Sequence, residues 1–322
     1  MSLVHRFLLA LAMLLCAPAF AAGPAAWSPQ EADHPSTVSL RAFLERMRSI
    51  TGSAPDTVLP VAVGRNQTAL YEALRKEEIR VAVMTSSAVG RVAPMARVMN
   101  LPYILANSRQ MFSMLDGEIG QQMEAQMAAN GLVVLGWYDG ATRTMYSRKK
   151  LDSVSALQNV KIRIPSRKDL SSLVESLGGV PQKIDYEQVN SSFDQGQIDA
   201  AENDLLSYET EGHYKRAPYY YLNNNHIVQF EALVVTKSWF DKLPVTQREA
   251  LKAAGRESAA ANRKTWTDRM AKARTRLEKE GVKFVEYGNS GVLLSRAAAV
   301  YRPYMQDPAT RDLLVTLMTS RM

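Results

Sequence analysis

Two short β-type runs near the middle of the chain each end in side chains with fixed hydrogen-bonding preferences. Residues 161–165 (KIRIP) carry Arg163, and residues 198–204 (IDAAEND) carry Glu202 and Asn203. A guanidinium presents a planar fork of donors that suits a carboxylate, and an asparagine amide both donates and accepts hydrogen bonds. In an open α/β sheet, side chains just beyond the carboxyl ends of the strands line the ligand crevice. This stretch therefore predicts half of a binding site.

The elements that must position these side chains follow from the spacing of the apolar residues. Helical spacing over 40–50 and 67–78 alternates with strand-like runs over 57–63 and 79–84. This alternation predicts a mainly parallel sheet with helices on both faces. Between the two β-type runs, a helical segment, a glycine pair, a strand-like run and a polar helix continue the same pattern.

The remaining segments are longer. One helix is predicted over 109–129, and its four methionines are expected to fill the core adaptably. Residues 132–149 predict two strands that meet at Asp139 and Gly140. Residues 225–237 predict a further strand, which is expected to cross back in the direction opposite to residues 132–149. One continuous helix, or two abutting helices, is predicted over about 246–280, and the tail from 293 is further helix.

Four blocks of the sequence resemble the solute-binding proteins of tripartite ATP-independent periplasmic (TRAP) transporters, which capture C4-dicarboxylates, sialic acids and related organic acids. The blocks are NVKIRIP (159–165), LGGVP (177–181), KIDYEQV (183–189) and FDQGQIDAAEN (193–203). They occur in the family's order and at its separations. The resemblance covers roughly residues 33–285 and is weakest at the front. There, residues 23–35 (GPAAWSPQEADHP) stand where the family has a clear apolar strand, so the first strand is either truncated or formed poorly by 25–27.

The resemblance implies an α/β fold of the two-lobed periplasmic-binding-protein (clamshell) type with long bridging helices. Lobe I is expected to comprise residues 22–140 and 229–268. Lobe II is expected to comprise residues 141–228 and 269–322.

The resemblance also gives roles to two arginines. Arg163 matches the arginine that forms a two-pronged salt bridge to the ligand carboxylate in the family; judged from the residue alone, a structural salt bridge is the alternative. Arg143 precedes it by 20 positions, the separation at which the family has a second arginine facing the carboxylate. A structural ion pair is again the alternative for Arg143, and Arg148 is a competing candidate.

Three further residues of the same stretch have matched positions. Asn203 corresponds to an asparagine that donates to the ligand carboxylate or a neighbouring oxygen, although a strand-terminal asparagine is otherwise a turn former. Glu202 is expected to hold the local network together. Tyr186 stands where the family has an aromatic residue packed on the ligand, with a core tyrosine as the alternative.

On the expected first lobe, Thr85, Ser86 and Ser87 follow a strand and precede a predicted helix. Hydroxyls and free backbone N–H groups at such a junction suit an anion or a polyol, and a plain helix cap is an equal alternative. Some members of the resembled family have an acidic residue here, which Thr85 does not supply. His226 is expected to be a packed histidine near the hinge, and Asn225 and Glu231 are minor candidates for ligand contact.

The amino terminus predicts export. A basic start, an apolar run over 7–16 and small residues after it are typical of a cleaved signal peptide, expected to comprise residues 1–21. The mature protein is therefore expected in the periplasm. The one cysteine, Cys16, lies inside this segment, so the mature chain would contain neither disulfides nor thiolate metal sites. The net charge of +7, or +6 without Arg6, is dispersed, which argues against nucleic acid as a partner.

No motif of the common enzyme classes occurs, and the three histidines that would remain after processing are too scattered for a metal site. The predicted function is the capture of a carboxylate-bearing solute and its delivery to TRAP permease subunits powered by an ion gradient, by a monomer without a cofactor. The alternatives are a sensory protein that presents its ligand to a signalling receptor, a periplasmic enzyme on the same fold, and the binding protein of an ATP-driven transporter.

Overall fold

The computed structural model describes residues 24–59, 67–222, 225–286 and 290–319, so the predicted signal segment 1–21 lies outside the described residues. Within these ranges, no helix is both long enough and apolar enough to cross a bilayer. The helices are α1 Pro35–Thr51, α2 Gln67–Arg75, α3 Ser86–Val92, α4 Met95–Met99, α5 Ser108–Leu115, α6 Glu118–Ala129, α7 Lys168–Ser176, α8 Val189–Asp194, α9 Leu205–Thr210, α10 Lys237–Phe240, α11 Val245–Lys279, α12 Ser290–Gln306 and α13 Pro308–Thr319. The strands are β1 Ala25–Trp27, β2 Val58–Leu59, β3 Ile79–Thr85, β4 Leu132–Ser147, β5 Lys161–Ile164, β6 Val180–Lys183, β7 Ala200–Asn203, β8 Tyr219–Tyr221, β9 Ile227–Thr236 and β10 Lys283–Val285.

The strands form a mixed sheet in the order β2-β1-β3-β9-β4-β7-β5-β6, and outside this order β8 pairs with β4 and β10 pairs with β8. Each end of this order is parallel, as β1 pairs with β2 and β3, and β5 pairs with β6 and β7. The long strands β4 and β9 instead run antiparallel to each other and to their outer neighbours. The expectation of a mainly parallel sheet was therefore wrong in the middle, because the chain passes along β4 and returns along β9.

Strand β4 is one continuous element where two strands were expected. Its first part pairs with β9 and its last residues pair with β7. The register with β9 shifts between Asp139 and Thr142, and Ala141 has a positive φ of 72°. This bulge bends the strand without ending it. Gly140 is required beside the bulge, because a Cβ there would lie 2.9 Å from the carbonyl carbon of Phe230.

Strand β1 decides between a truncated first strand and one formed by residues 25–27. Ala25 to Trp27 form a three-residue strand that pairs in parallel with both β2 and β3. Ala26 and Trp27 are buried. The first strand is therefore present but short, and the part of the next predicted strand beyond Leu59 lies outside the described residues.

Two predicted helices are each divided in the structure. The segment 109–129 forms α5 and α6, which are separated at Asp116 and Gly117. Met111, Met123 and Met127 are fully buried, which confirms their place in the core. The tail forms α12 and α13, and Pro308 begins the second of them because proline suits the first position of a helix.

Helix α11 is continuous over 35 residues, which corresponds to a length of about 52 Å at 1.5 Å per residue. Leu251 and Ala259 belong to a buried cluster with α1 and β3, whereas Trp266 and Leu277 belong to a second cluster around Tyr146. One helix thus joins two cores. The lobe boundaries given above remain a prediction.

We expect Gly255→Ala to destabilise the protein, although alanine is the better helix former by about 1 kcal/mol. A Cβ at Gly255 of α11 would lie 2.4 Å from the carbonyl oxygen of Leu135 in β4, so the helix would have to move off the sheet. The expected loss is about 1–3 kcal/mol, measured by urea unfolding. Arg256→Ala changes the next, exposed residue and serves as the control. A gain in stability for Gly255→Ala would contradict the close packing of α11 on β4.

Candidate functional site

A cavity of about 950 Å³ has in its wall all six residues that the sequence singled out. They are Thr85, Ser86, Arg143, Arg163, Tyr186 and Asn203. Its volume lies within the usual range of small-molecule sites. The sequence prediction that these residues lie together therefore agrees with the structure, whereas their contact with a ligand remains a prediction.

Strand pairing explains why the arginines and the asparagine converge. Strands β5 and β7 are parallel, with Arg163 opposite Ala201, so their carboxyl ends meet at one edge. Strand β4 is antiparallel to β7, with Thr144 opposite Asn203, which brings Arg143 to that edge as well.

Arg163 is a buried cation without a carboxylate partner in the described part of the chain. Only 3% of its surface is exposed, and its Nε donates to the carbonyl oxygen of Ile184 at 2.8 Å. Its guanidinium carbon lies 5.9 Å from the centre of the Tyr186 ring. Burial lowers the pKa of Arg163 from its ordinary value. The structural salt bridge that was the alternative for Arg163 is thus not formed among the described residues, and Arg163 lines the cavity.

Arg143, by contrast, is already paired with Glu202. Its Nε donates to Oε2 at 2.7 Å and its Nη2 donates to Oε1 at 2.9 Å, a two-pronged contact. Burial opposes the charge, but the Glu202 carboxylate holds the pKa of Arg143 above its ordinary value. The competing candidate, Arg148, is exposed, lies outside the cavity wall and donates to the carbonyl oxygen of Phe193. The ion-pair alternative for Arg143 is therefore realised, although Arg143 also lines the cavity.

Glu202 joins Arg143 to His226, as the sequence predicted for a residue that holds the local network. The same Oε2 atom lies 3.0 Å from Nε2 of His226, and both side chains are almost completely buried. Burial alone would raise the pKa of Glu202, but Arg143 and His226 outweigh it and hold this pKa well below its usual range. The expectation of a packed histidine at 226 is confirmed by its 2% exposure.

Asn203 and Tyr186 complete this side of the cavity. The Oδ1 atom of Asn203 accepts from the backbone N–H of Asp204 at 2.9 Å, which fixes the amide. Tyr186 is half-buried, lies in the short turn Tyr186–Gln188 and meets His213 edge to face at 6.1 Å. Burial raises the pKa of Tyr186, so the phenol stays neutral.

The two candidates on the expected first lobe differ in their contacts. Thr85 is the N-cap of α3, where its Oγ1 accepts from the backbone N–H of Ala88 at 3.3 Å, so the helix-cap alternative holds for this residue. Ser86 is fully buried, and its hydroxyl has no hydrogen-bond partner among the residues the structure describes. Both residues line the cavity.

The comparison with protein families covers most of the chain. Residues 47–305 match the model of the DctP family, described as bacterial extracellular solute-binding protein, family 7. The chain belongs to this family. The resemblance found from the four sequence blocks is confirmed, and the family is one of binding proteins.

Relatives of this DctP-family protein match it over almost its full length. A solute-binding protein of Chromohalobacter salexigens is 26% identical over 292 residues, which cover 90% of this chain and 87% of the relative. A TRAP periplasmic solute-binding protein from a Sulfitobacter species, solved with bound β-D-galacturonate, is 28% identical with a TM-score of 0.82 and covers 92% of this chain and 98% of its own. One from Roseobacter denitrificans, solved with bound β-D-glucuronate, is 27% identical with a TM-score of 0.83 and the same coverage. The predicted two-lobed periplasmic-binding fold and the TRAP type of binding protein are thereby confirmed.

Sequence reasoning missed several cavity residues of this DctP-family protein. Trp266 and Arg167 line the cavity, as does Gln30, and none of them was a candidate. An apolar aromatic residue in the otherwise polar 35-residue helix was a usable signal for Trp266. Glu231, only a minor candidate, lines the cavity and is 3% exposed.

We expect the stabilising effect of Glu202 to depend on pH. Because its pKa in the folded protein lies below the unfolded value of about 4.3, the charged form stabilises the fold above about pH 4, and that contribution is lost as the pH falls further. Breaking a buried pair costs about 3 kcal/mol or more. Glu202→Gln should therefore be less stable than wild type by about this amount between pH 5 and 7, and the difference should shrink below pH 4, as measured by urea unfolding. The exposed Glu257→Gln is the control, and a difference for Glu202→Gln that does not vary with pH would contradict the charge network.

Proposed function

We propose that this protein binds a hexuronate, a six-carbon sugar acid such as glucuronate or galacturonate, and that Arg163 binds its carboxylate. The observation that carries the proposal is the buried guanidinium of Arg163, which lines the cavity without a carboxylate of its own. A buried charge is costly until it is paired. A solute carboxylate would supply the missing partner through two parallel N–H···O bonds.

The rest of the cavity wall suits a solute rich in hydroxyl groups. Ser86, Ser87 and Ser207 lie in it together with Gln30 and Gln229, which offer both donors and acceptors. A simple dicarboxylate would leave most of these groups unused. The two TRAP binding proteins that this chain matches at 27–28% identity over 92% of its length contain a bound uronate, which has one carboxylate and several hydroxyls.

Arg143, Asn203 and Tyr186 have secondary roles in this proposal. The charge of Arg143 is balanced by Glu202, so this residue would add a directed hydrogen bond with little net attraction. The amide of Asn203 would donate to a carboxylate oxygen or to the oxygen next to it. Tyr186, which already lies beside Arg163, would cover one face of the solute.

Capture and delivery follow the scheme implied by the family. Lobe I, residues 22–140 and 229–268, and lobe II, residues 141–228 and 269–322, would close on the solute because it binds the closed form more tightly. The protein would act in the periplasm after removal of residues 1–21, as a monomer, and would pass the solute to TRAP permease subunits without converting it.

We expect Arg163→Ala to weaken the binding of glucuronate by about 2–5 kcal/mol, because the solute carboxylate would lose its charged partner in a buried site. Arg163→Lys should bind with intermediate affinity, since an ammonium keeps the charge but not the fork of donors. Isothermal titration calorimetry of the purified chain measures both. Arg148→Ala removes an exposed arginine outside the cavity and should bind glucuronate as the wild type does.

Two results would contradict the proposal. One is a wild-type chain that binds no uronate in a panel of organic acids. The other is an Arg163→Ala variant that melts like the wild type and keeps its affinity for glucuronate, since binding of the solute carboxylate would then not depend on the buried cation.

A further inference from the structure

A buried carboxylate lies in the part of the cavity wall formed by β3 and β9, away from the strand that carries Arg163. Glu231 of β9 is 3% exposed and lines the cavity. It stands directly opposite Thr85 of β3 on one side and Tyr138 of β4 on the other. Residues paired in this way point to the same face of a sheet. Between β9 and β5 lie two further strands, β4 and β7, so Glu231 and Arg163 face different parts of the cavity.

Glu231 accepts hydrogen bonds from neutral groups only. The hydroxyl of Ser36 donates to its Oε2, and the side chain of Gln30 also contributes a hydrogen bond. No lysine, arginine or histidine forms a salt bridge with Glu231 in the part of the chain that the structure describes. Burial accordingly raises the pKa of Glu231 to about 7. A carboxylate has room for about four hydrogen bonds, so acceptor capacity remains on this residue.

Ser86 supplies a second polar group to the part of the cavity wall that follows β3. It directly follows Thr85, the residue opposite Glu231, and it also lines the cavity. Its hydroxyl is fully buried and has no partner among the described residues. A buried polar atom without a partner is costly and rare, so its place in a cavity wall points to a ligand atom as the partner.

We propose that Glu231 and Ser86 form a hydroxyl-binding subsite that selects the sugar part of the solute. The proposal rests on the proposed function, because it assumes that the carboxylate of the same solute binds at Arg163. Glu231 accepts a charge-assisted hydrogen bond from one ring hydroxyl. Ser86 donates to the oxygen of that hydroxyl or of its neighbour, or accepts from it.

The chemistry of the subsite favours a hydroxyl over the other groups of an organic acid. A second carboxylate would be repelled by Glu231 above about pH 7, where Glu231 carries its negative charge. An aliphatic group would leave the remaining acceptor capacity of Glu231 and the hydroxyl of Ser86 buried without a partner, which weakens binding. A hydroxyl satisfies both residues, since it donates one hydrogen bond and accepts others.

The test compares the purified wild-type chain with Glu231→Gln, by calorimetry with D-glucuronate and with its 2-, 3- and 4-deoxy analogues. Glutamine keeps an oxygen that can accept from Ser36, so the variant changes the charge and leaves the shape. Wild type should bind one of the deoxy analogues about tenfold more weakly than glucuronate, because a charge-assisted hydrogen bond is lost. Glu231→Gln should bind glucuronate about tenfold more weakly than the wild type does. It should bind that one deoxy analogue almost as tightly as it binds glucuronate.

Two further variants serve as comparisons. Ser86→Ala should bind glucuronate about three- to tenfold more weakly. Without ligand, it should melt no lower than wild type, because the substitution removes a buried hydroxyl that has no partner. The exposed Glu257→Gln removes the same charge from the surface of α11 and should bind every ligand as the wild type does.

The outcomes separate this subsite from the proposed function. The subsite is overturned, while the role of Arg163 stands, if Glu231→Gln binds glucuronate as tightly as the wild type does. It is also overturned if the affinity of Glu231→Gln falls below that of the wild type by the same factor for glucuronate and for every deoxy analogue. Tighter binding of a 2-amino sugar acid than of glucuronate, lost in Glu231→Gln, would overturn it in favour of a site for an amine. If the wild type binds no uronate, both proposals fail.

Discussion

The site depends on a positive charge that is buried next to a cavity without a carboxylate of the protein to neutralise it. Within the described residues, Arg163 is held only by the carbonyl oxygen of Ile184 and by the ring of Tyr186. Both contacts fix the guanidinium in position, and neither cancels its charge. The buried charge of Arg163 is therefore not neutralised within the described residues, and under the proposed function the carboxylate of the solute would neutralise it. Because the donors are already oriented, little entropy is lost when such a solute binds.

Arg143 shows what the same side chain does when its counter-charge belongs to the protein. Glu202 and Asn203 are neighbours on β7, and side chains alternate between the two sides of a strand. Glu202 is therefore directed to Arg143 and His226, while Asn203 lines the cavity. The alternation directs Glu202 to the ionic network and Asn203 to the cavity without additional elements. Of the two arginines at this sheet edge, only Arg143 has its charge balanced by a carboxylate of the described residues.

Prediction from the sequence succeeded where local patterns of residues decide the structure. It failed where the structure depends on contacts between residues that are distant in the sequence. The ends of β5 and β7 were predicted from short apolar runs, and the resemblance then gave the residues at those ends their roles. The choice between ion pair and ligand contact for Arg143 was beyond the sequence, because its partner Glu202 is 59 residues away. Glu231 was only a minor candidate for a similar reason, since its donor Ser36 is 195 residues distant. The bulge in β4 looked like a break between two strands, because the residues around Gly140 are typical of turns.

The double pairing of β4 has a consequence for how such chains change in evolution. Its first part is hydrogen-bonded to β9, whose partner residues lie about a hundred positions later in the chain, and its last residues are hydrogen-bonded to β7. The side of the sheet with β1, β2 and β3 is joined to β4 only through β9, so the complete sheet depends on contacts between segments that are distant in the sequence. Strands β4, β7 and β9 form a three-strand unit between the two sides of the sheet. No single crossover in the gene separates the β3 side from the β5 side without dividing this unit. Recombination between relatives would have to exchange β4, β7 and β9 together to produce a chain whose halves still fit.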